Sequence, residues 1–171
     1  MLLRYTFFFT LLYILNSSVF AHENSDTDAF PTPHIQSAPV LQVHVELGTK
    51  IDVGETDDGH RYIVPITGGH FTGHNISGSV IPGGADWQVN RQDNVKNIEA
   101  IYALKTDDGV TIVVHNKGIV HTLTGQRYAF TRPEFHVATG KYDWLNKDFY
   151  IGTIESIKSP RAVNIRIYRV E

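Results

Sequence analysis

Residues 68–88 read GGHFTGHNISGSVIPGGADWQ, and the rest of the chain is best understood outward from them. Glycine recurs through this stretch, at positions 68, 69, 73, 78, 83 and 84. Glycine weakens the interior of a strand or helix, but it permits tight bends, bulges and close approach of two backbones. The stretch also carries Asp86 and one of the chain's two tryptophans, Trp87. Two interpretations stand equal: a shaped rim or floor of a cavity, or strand corners around a packed tryptophan.

The segments on either side alternate apolar and polar residues, which is typical of half-buried strands. The clearest are residues 40–47 (VLQVHVEL) and residues 162–170 (AVNIRIYRV). Further short apolar segments lie at 61–67, 98–105, 110–116, 120–123, 128–131, 135–138 and 148–154. No stretch combines helical periodicity with caps, so the sequence predicts an all-β protein.

Turn signals separate these segments. The tetrapeptide TDDG occurs at 56–59 and again at 106–109. Asp-Gly between apolar runs is a strong hairpin signal, so Asp57 and Asp107 are interpreted as turn residues rather than catalytic ones. Residues 116–118 (NKG) predict another turn. Many short strands favour a single antiparallel barrel over a sandwich, because closure removes exposed edges and about eight strands can enclose one small ligand.

The first residues, 1–21, have the composition of a signal peptide. Arg4 precedes an apolar run over residues 5–15, and Val19 and Ala21 suit cleavage after Ala21. The run is short of the roughly 20 residues that a membrane span needs. We therefore expect a secreted or periplasmic protein without stable membrane insertion after cleavage. An uncleaved N-terminal anchor is the alternative.

Residues 22–39 are rich in proline, serine and acidic residues and predict a flexible leader to a barrel domain over residues 40–171. The chain has no cysteine and a formal net charge of −3. A thiol nucleophile and a thiolate metal site are therefore excluded. Because no basic stripe is present, we expect no nucleic-acid partner. The sequence does not indicate an oligomeric state.

Several blocks of the sequence match a known family in order and spacing. They are GGHFTG (68–73), PGGADWQ (82–88), YALKTDDG (102–109), NKG (116–118) and KYDWLN (141–146). Over residues 41–170 the chain resembles the domain-of-unknown-function 3237 family. The resemblance implies a calycin-type, lipocalin-like β-barrel. Most members are uncharacterised, and the occurrence of some beside secondary-metabolism genes implies cofactor-free tailoring of small polycyclic molecules.

Two residues are the leading candidates for acid–base chemistry. A carboxylate held beside Trp87 in a partly dry cavity would have a raised pKa, which would suit Asp86 to act as a general base. The competing interpretation is that Asp86 caps the turn that it ends. Tyr102, if it points inward, could orient or protonate a carbonyl group. Otherwise it is a packing tyrosine with its hydroxyl at the rim.

Histidine offers further candidates. His115 lies on a predicted strand and titrates near neutrality, so it could shuttle protons, although a lone strand histidine is more often a satisfied surface side chain. His70 and His74 have a spacing that converges on a metal only in a helix, and Gly73 between them argues against one. We expect neither a metal site nor a cofactor.

Aromatic side chains provide candidate ligand contacts. Tyr142, Trp144 and Asn146 alternate, so on an extended segment they would face the same way and form a platform for a flat ligand. Trp87 would complete this pocket. The alternative is that Trp144 plugs one end of the barrel.

Three hypotheses for function follow. The first is a barrel that binds a small, largely apolar or aromatic molecule in its interior. The second is a cofactor-independent isomerase, cyclase or lyase that uses Asp86 as base with Tyr102 or His115 as proton partner. The third is a structural module with a filled interior. Convergence of the candidate side chains on one cavity would favour the first two.

Overall fold

The computed structural model describes residues 32–171, and the predicted signal peptide lies outside them. Nine strands and one short 3₁₀ helix make up this part of the chain. The elements are β1 (Leu41–Leu47), β2 (Ile51–Thr56), β3 (Gly59–Gly73), β4 (Ile76–Asn90), β5 (Lys96–Thr106), β6 (Thr111–Leu123), β7 (Gln126–Val137), the 3₁₀ helix (Asp143–Asn146), β8 (Phe149–Ile157) and β9 (Ala162–Val170). The predicted all-β class is confirmed.

The sheet closes on itself. Strands are hydrogen-bonded in the order β1-β9-β8-β7-β6-β5-β4-β3-β2, and β1 also pairs with β3. Val45 of β1 lies opposite Gly69 of β3 and Val163 of β9. The ring therefore contains eight antiparallel strands, while β2 pairs with the other half of β3 and lies outside it. The predicted calycin-type barrel is confirmed, and closure leaves β1 without a free edge.

The glycine-rich stretch belongs to two long strands rather than to a loop at the rim. The register of β3 with β4 shifts between Pro65 and His70, and that of β4 with β5 shifts between Ile81 and Ala85. These irregularities bend both strands as β-bulges do. A side chain at Gly69 would place its Cβ 2.0 Å from the carbonyl oxygen of His44, so glycine permits the closing contact between β1 and β3. This agrees with the strand-corner interpretation of the glycines.

Two of the three predicted turns are confirmed and one is wrong. Both TDDG tetrapeptides form hairpin turns, between β2 and β3 and between β5 and β6. Residues 116–118 form no turn, because β6 continues through them in unbroken register with β7. Gly118 serves close strand packing instead, since a Cβ there would lie 2.4 Å from the carbonyl oxygen of Phe130. The segments 120–123 and 128–131 are accordingly parts of these long strands.

One end of the barrel is filled and capped. Large buried side chains such as Phe71, Leu104 and Tyr150 pack inside it. Strands β7 and β8 pair at only two positions, and the 3₁₀ helix lies beside this gap with Leu145 buried in the core. Asn146 fastens the helix to β7: its amide donates to the carbonyl oxygen of Val137 at 2.8 Å, and its Oδ1 accepts from the N–H of Val137 at 3.0 Å.

The last residues of the predicted leader lie along the end of β9. His34 and Glu171 exchange two backbone hydrogen bonds, of 2.6 and 2.7 Å, and the N–H of Gln36 donates to the carbonyl oxygen of Arg169 at 3.0 Å. These contacts attach residues 34–36 to the barrel domain. Over the described range, 32–171, no helix has the length and apolar character to cross a membrane.

Candidate functional site

The barrel contains a cavity of about 120 Å³ at the end opposite the 3₁₀ helix. All eight strands of the ring contribute to its lining. The lining residues are Val45, Leu47, Ile66, Asp86, Gln88, Lys96, Ile98, Ala100, Tyr102, Asn116, Val120, Arg127, Ile154, Ser156, Val163 and Ile165. Aliphatic side chains form most of the wall, and a small set of polar groups faces the same space. Such a combination is typical of small-molecule sites.

The inner part of the cavity is built across three neighbouring strands. Ala100 of β5 lies opposite Asp86 of β4 and opposite Asn116 of β6. Tyr102 lies two residues further along β5 and therefore on the same face. Because Ala100 has a small side chain, it leaves space between the carboxylate and the amide, with the tyrosine ring beyond them.

Asp86 is held by two hydrogen bonds. Its carboxylate accepts from Gln88 Nε2 at 2.6 Å and from the backbone N–H of Glu99 at 3.1 Å. Burial raises the pKa of Asp86, and the two hydrogen bonds and the charge of Lys96 offset part of this effect. The result is a positioned carboxylate that is more basic than an ordinary aspartate.

Tyr102 and Asn116 place polar atoms in the cavity that lack a protein partner. Both residues are 3% exposed. Among residues 32–171, no group hydrogen-bonds the Tyr102 hydroxyl or the Asn116 Oδ1. Burial, with a further contribution from the charge of Asp86, raises the pKa of Tyr102 above its usual range, so the hydroxyl stays protonated and can donate. Buried polar atoms are normally hydrogen-bonded, so these two are available to a ligand or an ordered water.

Lys96 and Arg127 line the cavity towards its open end. Lys96 Nζ lies 3.4 Å from Gln88 Oε1. The guanidinium of Arg127 donates to the carbonyl oxygen of Ile154 at 2.5 Å and to Ser156 Oγ at 3.3 Å. Arg127 is exposed, so the cavity reaches the surface here.

Two of the sequence candidates lie on the outer face of the barrel. His115 Nε2 is 2.7 Å from Glu99 Oε1, and Lys117 Nζ is 3.1 Å from the same oxygen. Trp87 is 42% exposed and does not fill the core. Successive residues of a strand point to opposite faces, so the inward positions of Asp86 and Asn116 turn Trp87 and His115 outward.

Three further candidates lie at the filled end. The Tyr142 hydroxyl donates to Asp108 Oδ2 at 2.9 Å, Trp144 packs against the core, and Asn146 bonds the backbone of β7. The expectation of an extended segment is wrong here, because residues 143–146 form the 3₁₀ helix. The structure thus brings Asp86 and Tyr102 together in the cavity, and it brings neither Trp87 nor the three residues of this segment to it.

Sequence reasoning missed five polar residues of the cavity: Gln88, Lys96, Asn116, Arg127 and Ser156. For Asn116 a signal exists, because the alternation of Ile112 and Val114 continues to position 116 and would have placed its side chain inward. Gln88 lies two residues after Asp86 on β4, so its side chain points to the same face of the strand. Lys96 and Arg127 stand at the starts of strands, where no pattern distinguishes them from surface cations. No three histidine or acidic side chains within the described part of the chain are grouped to hold a metal ion.

These features define a class: a small closed antiparallel β-barrel with a partly polar interior cavity open at one end. The profile of the family described as "Protein of unknown function (DUF3237)" matches residues 35–170. The chain belongs to this family, and the resemblance noted from the sequence blocks is confirmed.

Two relatives named UPF0311 protein show how far the sequence similarity extends. A UPF0311 protein of Rhodopseudomonas palustris strain TIE-1 is 35% identical over 136 residues, which is 71% of this chain and 89% of the relative. A UPF0311 protein of Clostridium acetobutylicum is 28% identical over 147 residues, which is 77% of this chain and 91% of the relative.

Solved structures share the fold. A conserved protein of unknown function from R. palustris superposes with a TM-score of 0.74 at 32% identity, covering 82% of this chain and 100% of that one. A beta-barrel like protein from Acinetobacter baumannii AYE superposes with a TM-score of 0.77 at 28% identity, covering 84% of this chain and 99% of that one. An enzyme from Penicillium herquei superposes with a TM-score of 0.66 at 22% identity, covering 84% of this chain and 99% of that one. At this identity the similarity concerns the fold alone.

Proposed function

We propose that the barrel binds one small, largely apolar molecule in its interior, with a polar group of that molecule facing Asp86, Tyr102 and Asn116. The observation that carries this proposal is the coincidence of open volume, aliphatic wall and unpartnered buried polar atoms in one place. A structural module would have been expected to fill this space with side chains.

The polar atoms suggest how a ligand would be oriented. A buried donor or acceptor without a partner costs about 1–3 kcal/mol, and a ligand that supplies the partner recovers that cost. The Tyr102 hydroxyl would donate to a carbonyl or ether oxygen. The Asn116 Oδ1 and the Asp86 carboxylate would accept from a hydroxyl or an N–H group. A ligand with an oxygen acceptor beside a donor therefore fits the inner part of the cavity.

The cavity volume limits the ligand. An apolar cavity of roughly 150 Å³ accommodates benzene. At about 120 Å³ this cavity is somewhat smaller, so the enclosed part of a ligand is at most a single ring or a short branched chain. A larger molecule would extend through the open end, past Lys96 and Arg127.

The second candidate function is catalysis without a cofactor. The raised pKa of Asp86 favours it, because a carboxylate of increased basicity inside an apolar cavity is suited to general-base work. In such a reaction Asp86 would remove a proton next to a carbonyl group, and the Tyr102 hydroxyl would hydrogen-bond the oxygen that gains charge. The proton partner is then Tyr102, since His115 is paired with Glu99 on the outer face. Isomerisation and cyclisation both fit this chemistry.

Native mass spectrometry tests the binding proposal. The purified protein is compared with Ala100→Phe, which would fill the space between Asp86 and Asn116, and with Ala103→Phe on the outer face of the same strand as matched control. We expect a co-purifying small molecule in wild type and in the control, and its loss in Ala100→Phe. Retention of the molecule in Ala100→Phe, or its absence from all three proteins, would contradict the proposal.

Solvent-deuterium exchange into the co-purified molecule separates an enzyme from a binder. If Asp86 is a general base, wild type incorporates deuterium and Asp86→Asn does so about 10²–10⁴ times more slowly, with affinity kept within a few-fold. Equal exchange in the two proteins would remove the general-base role and leave the binding proposal intact.

We also propose export, on the strength of Arg4, the apolar run over residues 5–15 and the small residues before position 22. N-terminal sequencing of the full chain, recovered from the medium or periplasm of an expressing bacterium, should begin at His22. Recovery of the chain with its first 21 residues intact in the membrane fraction would support the anchor alternative instead.

A further inference from the structure

Four cations surround the open end of the cavity, and we call them the cationic mouth: Lys50, Lys96, Arg127 and Arg161. Lys50 follows β1, Lys96 begins β5, Arg127 is at the start of β7, and Arg161 precedes β9. The antiparallel up-and-down order brings all of these connections to the same end of the barrel. Lys96 and Arg127 line the cavity itself.

Three of these charges act on the fourth, Lys96. Burial lowers the pKa of Lys96, and the charges of Lys50, Arg127 and Arg161 lower it further, against an opposing contribution from Asp86. Asp86 is also the only carboxylate in the cavity lining. The mouth is therefore a region of concentrated positive charge on a chain whose formal net charge is −3.

The described part of the chain, 32–171, supplies no salt-bridge partner to any member of the cationic mouth, although most of its other cations have one. The paired cations are Arg61, Arg91, Lys117, Arg132, Lys141, Lys147 and Arg169. The mouth cations contact neutral groups instead. Lys50 Nζ lies 3.5 Å from the centre of the Tyr62 ring, and the guanidinium of Arg161 lies 3.5 Å from the carbonyl oxygen of Gly48.

Like charges that lack a salt-bridge partner at one opening are unfavourable in the empty protein and favourable to an anion that enters. Resting on the binding function proposed above, we propose that the ligand is an organic acid: its compact apolar body lies in the cavity, and its carboxylate lies between Lys96 and Arg127. Arginine suits this role because its planar guanidinium can donate two parallel hydrogen bonds to a carboxylate.

Charge also fixes the direction of entry. A carboxylate that reached the inner part of the cavity would meet Asp86, a like charge in a low-dielectric environment. At the mouth the same carboxylate meets cations. The acid therefore points outward, and the neutral end of the ligand reaches Tyr102 and Asn116.

The test uses two probes of nearly identical shape, phenylacetate and phenylacetamide, titrated by NMR against the whole mature protein. We expect wild type to bind the acid about tenfold or more tightly than the amide, because a hydrogen bond to a charged group is stronger than one to a neutral group. Raising the salt concentration should weaken binding of phenylacetate and leave the affinity for phenylacetamide unchanged.

Variants assign the preference to the mouth. Lys96→Gln with Arg127→Gln should bring the acid-to-amide ratio to about one. Unchanged NMR signals of the buried residues Ile112 and Ile167 report that the barrel is folded. Arg127→Lys should retain part of the preference. The matched control, Lys105→Gln with Arg166→Gln, removes two exposed cations elsewhere and should leave the ratio unchanged.

The relative affinities of the two probes separate the organic-acid inference from the binding proposal. Equal binding of acid and amide to wild type would overturn the organic-acid inference and leave the binding proposal standing. A preference that survives in the Lys96→Gln, Arg127→Gln variant would overturn the role of these two residues. Failure of both probes to bind wild type at millimolar concentration would count against the binding proposal and the inference together.

Discussion

Asp86 and Trp87 are neighbours in the chain, yet one side chain enters the cavity and the other lies 42% exposed on the outside. Asn116 likewise lines the cavity, whereas the side chain of its neighbour His115 pairs with Glu99 on the outer face. Because side chains alternate along a strand, a difference of one position decides whether a residue can contact a ligand. At the residue scale, the site is therefore defined by which face each strand turns inward.

Replacing Tyr102 by Phe should make the protein more stable and weaken ligand binding. The buried hydroxyl has no partner among residues 32–171, so its removal should raise the free energy of unfolding by about 1 kcal/mol. Tyr142→Phe is the matched comparison, since it removes a hydroxyl that donates to Asp108, and it should lower the free energy of unfolding by about 1 kcal/mol. Chemical denaturation measures both. A loss of stability in Tyr102→Phe equal to that in Tyr142→Phe would show that the Tyr102 hydroxyl is bonded.

The titration of Asp86 should be visible in stability. Its pKa is raised in the folded protein, so between the ordinary aspartate value of 3.8 and the raised value the folded state binds more protons than the unfolded state. Stability relative to Asp86→Asn should therefore be greatest at low pH and fall as the pH rises through the raised pKa. Denaturation curves of the two proteins across pH 3–8 measure this difference. A difference that grows with pH would contradict the burial of Asp86.

At the scale of elements, the pairing of the bulged strand β3 with β1 closes the barrel. Gly69 has a φ of +132° and lies against the His44 carbonyl of β1, whereas Gly83 has a φ of +114° and open space around it. Both positions have backbone conformations that favour glycine, but only Gly69 also excludes a side chain. This pair therefore separates backbone strain from the close approach of two strands.

Gly69→Ala should lower the free energy of unfolding by about 3 kcal/mol or more, since its Cβ forces β1 away from β3. Gly83→Ala should cost about 1–2 kcal/mol, from the strained φ alone. Thermal or chemical denaturation measures both. Equal losses in the two variants would mean that the β1–β3 contact does not depend on the absence of a side chain at position 69.

The 3₁₀ helix should matter for stability and not for the cavity. Asn146→Ala removes both side-chain hydrogen bonds to Val137 and should destabilise the protein by about 2 kcal/mol. Trp144→Phe, a milder change at the same end, should leave the affinity for phenylacetamide within two-fold, roughly the level of unrelated surface changes. A tenfold loss of affinity in Trp144→Phe would instead support the sequence-based assignment of this segment to ligand contact.

At the scale of the whole molecule, the sequence predicted the class of fold. It also named Asp86 and Tyr102 as candidate site residues, and both line the cavity. It did not predict the other residues of the lining. Alternation along residues 41–47 and 162–170 was sufficient to predict strands. The inward face of β5 depends on how eight strands close, which no local pattern encodes. Lys96 and Arg127 become part of the cavity only through this closure, so their role could not be predicted from their neighbours in the chain.

Methyl NMR of the isoleucine side chains tests most directly whether the interior is a ligand site. Titration with phenylacetate or phenylacetamide should shift the signals of Ile66, Ile98 and Ile154, which line the cavity. Ile112 and Ile167, which are fully buried in the core and absent from the lining, should stay unchanged and serve as internal controls. Shifts confined to the outer face of the barrel, or no shifts at saturating probe, would contradict the account of an interior binding site.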